Sequence, residues 1–555
     1  MGARLLRCVA VATGAAGMLW CQPFIPRNAV LNAASYVSPG LPGGAIARGS
    51  MFSIFGSALG PSVPVQALAF PLQAALGGVS VRVFQGATTV DALPVFVSQA
   101  QLNAIMPSNA PTGRASVQVT YNGVRSNPAP VNIVPSSFGI FAANSAGSGP
   151  GIAQNFNSAA DQPVNSLIAT AKPGQVITLW GTGLGPANGP DNVAPTAGDL
   201  PIPVEVYIGG KLARRLYSGR TPCCSSIDQI SVYVPDDAPR GCYVPVQVRT
   251  NGAVTSNTVT IAIDNAGQPC TDSGSGIRQL VTGGSVGALL LLRGTMHADQ
   301  GVTTPRDFAI DTAVLSFWQA AANERAFHPA LSLPPPGTCM TYTALRDQLN
   351  PNQVSFPDLG IRSLDGGATA TITGPKGNKS LLPASPASRL LGSLLGKDLP
   401  NSTPALYLDP GEYTVVGGGG SDIGSFSASV SFLQPVTWSN RDQIQIVSRQ
   451  QSLVLNWTVA DPKAQLVAIL GGNVDVPTNS TSWFGCLANA DAGTFSVPNH
   501  ILSAVAPSRM VLGQQKGFLF VGAVPAAGPQ SFTARGLDAG VAEAMALSGK
   551  TVLFQ

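Results

Sequence analysis

The sequence predicts an all-β chain, with tandem antiparallel β-sandwiches followed by a larger β-sandwich domain. Three observations carry this. A unit repeats within the first half. Apolar and polar residues alternate in short runs. The composition, with 62 Gly, 46 Pro and only 10% charged residues among 555, suits turns and pleated layers rather than long helices. Hydrophobic residues reach 45%, enough for packed cores and against disorder.

The repeat is read directly. SMFSIFGSALGP at Ser50 to Pro61 returns as QVITLWGTGLGP at Gln175 to Pro186, 125 residues later. QLNAIMP at Gln101 to Pro107 returns as QISVYVP at Gln229 to Pro235, 128 later. Asn122-Gly123 with Ser126-Asn127 returns as Asn251-Gly252 with Ser256-Asn257. A near-constant offset means two copies of one domain-sized unit. Val117, Val119 and Tyr121 alternate with polar residues, as do Val246 and Val248. That is the period of half-buried strands. Each Asn-Gly lies between two such runs, a strong hairpin signal.

The termini of the units follow. Met1 to Arg7 carries two Arg and no acid, and Cys8 to Trp20 is an apolar run of leader length, so residues 1–21 are expected to be a cleaved signal peptide. The rival reading, acylation of Cys21, is disfavoured by Trp20, where a small residue is expected. The expected boundaries are 28–140 and 141–265 for the two sandwiches, 266–279 for a linker, and 280–555 for the C-terminal β domain, as one body or two sandwiches. Within it, 383–404 is expected to be a mobile loop, because Gly392 and Gly396 interrupt RLLGSLLGKDL. Thr312 to Asn323 fits a short helix or a strand about Leu315 to Trp318.

Six cysteines remain after the leader: Cys223, Cys224, Cys242, Cys270, Cys339 and Cys486. An even number in an exported chain reads as disulfides. Cys242 opens one strand and Cys270 follows the end of the next, so that pair is preferred. Cys339 and Cys486 are the thiols of the last domain and are expected to pair. Cys223 and Cys224 could bond to each other, or cross with Cys242 and Cys270. Their bland role is a staple; the sharper one is a redox or ligand-sensing ring.

These motifs carry a resemblance. LNAAS at Leu31 to Ser35, IFGSALGP at Ile54 to Pro61, SQAQLNAIMP at Ser98 to Pro107, LWGTGLGP at Leu179 to Pro186, CCSSIDQISVYVP at Cys223 to Pro235 and GCYVPV at Gly241 to Val246 resemble the paired module of a secreted acidobacterial paralogue family of unknown function. Each half is similar to the TIG/IPT immunoglobulin-like domain. LDPGEYTVVGGGGSDIGSFSAS at Leu408 to Ser429 and FTARGLD at Phe532 to Asp538 resemble a C-terminal module of the same family. The resemblance implies a fold and an exported setting, and no activity.

Chemistry is sparse. The formal charge is +4, and +2 without Arg4 and Arg7, with no basic cluster for nucleic acid. His297, His328 and His500 show no metal spacing, and His297 with Asp299 reads as a surface pair. Gly283-Gly-Ser285-Val-Gly287 matches a nucleophile elbow, but its flanks look like strands on both sides. Gly181, Gly183 and Gly185 read as a strand exit, Gly417 to Gly420 as a turn, and Asp236-Asp237 as a solvated turn. Trp438, Trp457 and Trp483 read as core rather than a sugar platform. No catalytic residue, cofactor or metal is expected, and no transmembrane span. The expected role is binding or adhesion to an extracellular polymer, glycan or surface protein. The alternatives are a secreted hydrolase acting through the C-terminal half and a structural spacer in an envelope assembly.

Overall fold

The computed structural model describes residues 22–186, 189–265, 267–270, 277–298, 306–323, 325, 327, 332–345, 361–385, 388–398, 403–475, 480–509 and 517–555. The expected leader lies outside them. The described chain is almost all strand, in several sheets that are mostly antiparallel; unlike the expected antiparallel layers, the long C-terminal sheet pairs Gly284–Ala298 with Ala539–Phe554 in parallel.

In module 1, Met51–Phe55 pairs with Gln101–Ile105, placing Ser53 opposite Asn103. Gly113–Tyr121 lies between Val79–Gln85 and Ala129–Val134. Thr88–Val97 joins both layers: its first half pairs with Val79–Gln85 and its second with Gln101–Ile105. A register shift between Pro94 and Phe96 makes the bend, as bulges do where a strand changes sheet. Val79, Val81, Val117 and Val119 point inward at the alternation the sequence shows.

Module 2 repeats the plan. Val176–Thr182 pairs with Asp228–Tyr233, placing Thr178 opposite Ser231, the counterpart of Ser53 and Asn103. The opposing sheet holds Gly241–Thr250 between Val204–Ile208 and Val259–Ile263. Gly139–Ile140 already pairs with Gly181 and Thr182, so the chain enters module 2 slightly before the expected boundary at 140. Asn122 and Gly123 both take positive φ in the hairpin that pairs Tyr121 with Val124, as the two central residues of a tight turn must. Asn251 and Gly252 do the same in module 2.

The C-terminal part is built on one long sheet. Its order runs Thr338–Leu345, Ser480–Asn489, Gln465–Asp475, Gly517–Pro525, Ala539–Phe554, Gly284–Ala298, Arg306–Ala320, Leu391–Asp398, and then the strands between Ala370 and Phe432. Two cores lie on its inner face. One gathers Leu291, Leu315, Leu391, Tyr413 and Phe426. The other gathers Ile469, Phe484, Val521, Trp457 and Phe554, closed by the small sheet of Thr437–Trp438, Leu453–Thr458 and Thr494–Val497.

Three expectations are settled here. Thr312 to Asn323 is strand through Ala320, not helix. The stretch 383–404 is not a loop where it is described most fully: Leu391–Asp398 is a strand on Arg306–Ala320, burying Leu391 and Leu395. Gly396 belongs there because a Cβ would strike the backbone of Ala405. Of the expected linker, 266 and 271–276 lie outside the described residues, and Ile277–Thr282 is a short helix. No helix among the described residues is long and apolar enough to cross a membrane.

The bodies are joined by buried polar bonds. Asn32 of the LNAAS motif donates to the Ser137 carbonyl at 3.2 Å while its own carbonyl accepts from Ala34 and Ser35. The Met51 N–H donates to Thr182 Oγ1 at 2.9 Å across the module junction. Between module 2 and the C-terminal part, Thr258 and Thr341 hydroxyls meet at 2.6 Å, and Gln247 donates to both.

Candidate functional site

The sandwich strand Val176–Thr182 exits through Gly183-Leu184-Gly185. The N–H groups of Gly183 and Leu184 both donate to Asp228 Oδ2 at 2.8 Å. A glycine loop that looks like an anion cradle is therefore already occupied, by the chain's own carboxylate. Arg220 binds the other Asp228 oxygen, and its guanidinium also donates to Gly185 O at 2.6 Å and to Gly49 O of module 1 at 2.7 Å. Both side chains are almost fully buried. Burial pushes the Asp228 carboxyl up, against the pull of Arg220 and the two N–H groups. A buried charge needs such a partner and full hydrogen bonding.

Arg220 of this pair lines a cleft of about 350 Å3 at the junction of the modules. Gly49 lines it from module 1; the segment 189–200, Arg220, Ser225 and Ser226 line it from module 2. The segment is fixed at both ends. Ser108 of module 1 donates twice to Asp191, at 2.6 and 2.8 Å, and the Leu72 N–H donates to Asn192 O at 2.7 Å. At the far end Tyr217 and the Gly198 backbone bond to each other, and Arg215 bonds Asp199. Beside the cleft, the module 1 loop before Leu72 exposes Val63 (74%), Leu68 (90%) and Phe70 (37%), and Val193 stands exposed on the facing segment.

Cys223 and Cys224 are bonded to each other in the loop that walls this cleft. Cys223 is exposed and Cys224 half-buried. Ser225 Oγ donates to Asp191 O at 2.8 Å and Thr182 Oγ1 donates to Ser226 O at 2.7 Å, so two anchored residues directly follow the ring. Cys242 is bonded to Cys270. Cys339 is bonded to Cys486, its direct cross-strand partner. Three disulfides fit an oxidising, extracellular setting.

The remaining sequence candidates do not converge. Ser285 lies at the start of a strand that follows a helix, the reverse of an elbow's strand, turn and helix. Its hydroxyl donates to Asp538 at 2.9 Å and accepts from the Asp538 N–H. His297 meets Asp307 across its hairpin at 2.8 Å; Asp299 and His328 lie outside the described residues. His500 is buried, stacked on Tyr207 at 4.2 Å, with its pKa pushed down to about 4 chiefly by burial. Gly417 to Gly420 form a turn closed by Asp365, which accepts from the N–H and hydroxyl of Ser421. Asp237 pairs with Lys211 at 2.7 Å on the surface. Trp438 and Trp457 face each other across a ladder inside a core, and Trp483 packs on Tyr342. Among the described residues no three His, Cys, Asp or Glu gather as a metal site.

Sequence reading missed the Arg220–Asp228 pair. One signal was present: aligned on the repeat, Asp228 falls where module 1 has Ala100, so a charge stands in only one copy of an apolar strand start.

No protein-family model matches this chain, and no curated protein matches it. Solved structures give distant likenesses. A tandem from titin is 7% identical, covering 74% of this chain and 95% of that one, at a TM-score of 0.12. SGBP-B of the Bacteroides ovatus mixed-linkage glucan utilization locus, in complex with a mixed-linkage heptasaccharide, is 10% identical over 82% and 92%, at 0.16. Domains 5-6 of the S-layer protein SbsC are 13% identical over 44% and 99%, at 0.16. Likeness this distant assigns no ligand; the all-β class rests on the chain's own sheets.

Proposed function

We propose that this chain is an exported, non-enzymatic binding protein that holds a surface protein at the junction of its first two modules. One observation carries the reading: Val63, Leu68 and Phe70 are exposed on a segment that includes the short strand Val65–Gln66 and continues into Leu72, whose N–H is tied to module 2. Apolar side chains on an anchored backbone lose little freedom on binding. Exposed apolar patches rimmed by polar groups mark interaction surfaces. The adjoining cleft offers the Asp191, Arg220 and Ser225 region as that rim. Burial of Trp438 and Trp457 favours a protein over a stacked glycan. Export is supported by the leader pattern of residues 1–21 and by the six paired cysteines. The secreted acidobacterial family with paired TIG/IPT-like modules is the context this reading adopts. Engagement of Ser285 by Asp538, and of His297 by Asp307, weighs against the hydrolase alternative.

The test is an array of glycans, envelope polymers and surface proteins probed with the purified mature chain and with a Leu68→Asp, Phe70→Ser variant. The expected result is protein binding by the parent, weakened about tenfold or more in the variant, with unchanged melting. Glycan binding that the variant retains reassigns the ligand and the site. No binding to any polymer or cell surface overturns the reading.

A further inference from the structure

The long C-terminal sheet has a second face. Side chains on it stand in rows set by the ladder register. One row crosses seven strands from Phe308 through Met296, Phe520 and Leu470 to Met340. Another runs from Leu394 through Thr312 and Leu292 to Met545. Neither row carries a charge; the row beside the second carries one, Glu543, opposite Leu290. The Phe520 ring lies across Gly549, where any Cβ would strike it, which keeps the face level.

At the Met340 end this face is already an interface. Tyr243 of module 2 and Phe327 close over Met340 and Tyr342, leaving Met340 buried. Away from that end the same face lies open: Met296, Leu292, Met545, Phe520 and Leu470 are half-exposed, and Ile310 and Leu394 are exposed by 40% and 47%.

The geometry points to a second copy of this chain docking here, outer face against outer face about a two-fold axis. The five central strands at ~4.8 Å spacing, with about nine residues each at ~3.3 Å, make a patch of about 700 Å2. That is close to the ~800 Å2 each partner gives to a stable interface. Level apolar sheets pack face to face at ~10 Å. A two-fold axis presents the same patch to itself. The two rows meet their own copies without repulsion, and Glu543, which stands on the same face opposite Leu290, is pushed toward its neutral form by burial. The face is continuous with the one on which Tyr243 already packs, so the chain itself shows that this surface is suited to burial against a β-sandwich. The inference is independent of the cleft between modules 1 and 2.

The test is the mass of the purified mature chain across a concentration series, by sedimentation equilibrium, with Ile310→Glu, Leu394→Glu and Ile310→Val variants. Both sites are exposed, so melting is expected to be unchanged. The expected result is a dimer in the parent and in Ile310→Val, with dissociation raised about tenfold or more by either glutamate. A parent that stays monomeric at its solubility limit overturns the proposal, as does a dimer indifferent to both glutamates. Flotation with lipid vesicles by a monomeric parent, abolished by the same glutamates, overturns it in favour of a lipid surface.

Discussion

Asn127 and Asn257 occupy the same place in the two repeats and make the same two bonds. Asn127 Oδ1 accepts from the Ile25 N–H at 2.9 Å and its Nδ2 donates to the Ile25 carbonyl at 2.8 Å. Asn257 does so with Ile140, both at 2.9 Å. The serine before each donates to its asparagine's carbonyl and accepts from a strand N–H, from Val119 or Val248. A side-chain amide thus replaces a missing strand at the point where the chain enters each sandwich. Its carbonyl and amino group match one peptide's donor and acceptor.

Replacing either asparagine by alanine leaves that peptide without partners, at about 1–3 kcal/mol. Asn257→Ala is expected to be the worse of the two, because Asn257 also donates to the Gly147 carbonyl at 2.9 Å. Urea denaturation midpoints of the two variants check the order.

Removing one partner of the Arg220–Asp228 pair strands a buried charge. Arg220→Met or Asp228→Asn is expected to cost about 3–5 kcal/mol. The double variant is expected to lose less than the sum of the two. Because Arg220 also holds Gly49 of module 1, its variant should loosen the module junction. Limited proteolysis between modules 1 and 2 reads that loosening directly.

The three disulfides should differ in worth. Chain-entropy arguments give about 3.5 kcal/mol for Cys242–Cys270 and about 5 kcal/mol for Cys339–Cys486, since the second closes a longer loop. Their separations in sequence are 28 and 147 residues. Cys223–Cys224 spans adjacent residues and closes no such loop, so it acts on local backbone shape beside Ser225 and Ser226 rather than as a staple. Serine pairs at each site, compared by thermal melting, should rank in that order, with the Cys223/Cys224 variant nearest the parent.

Docking of module 2 on the C-terminal part should weaken in acid. His500 is buried against Tyr207, with Arg249 and Glu205 nearby, and its pKa sits at about 4, below the ordinary value. Protonation therefore favours the undocked or unfolded chain. Stability owed to neutral His500 is complete above about pH 6.5 and is lost as pH falls toward 4, by at most about 3 kcal/mol. His500→Phe keeps the stack and should flatten that part of the pH profile in denaturation curves.

The sequence was informative wherever a local pattern had a single physical outcome. Alternation in Val117 to Tyr121 could only bury one face, and Asn-Gly at 122 and 251 could turn the chain without strain. It was weaker where local signals conflicted with distant packing. Gly392 and Gly396 looked like breaks in an apolar run, yet the run is a strand, and at Gly396 the backbone of Ala405 passes too close for a Cβ; Thr312 to Ala320 fitted either period until a partner strand chose one. The cleft was illegible. Its parts, Gly49, Ser108, Asp191 and Arg220, lie far apart along the chain and meet only when two sandwiches dock.

By itself, then, the order of residues determined a duplicated β unit and its turns, because strand period and left-handed turn positions are decided within a few residues. Only the tertiary structure decided which charge is buried, which glycines are crowded and which apolar face stays open, because burial is a property of what arrives from elsewhere in the chain.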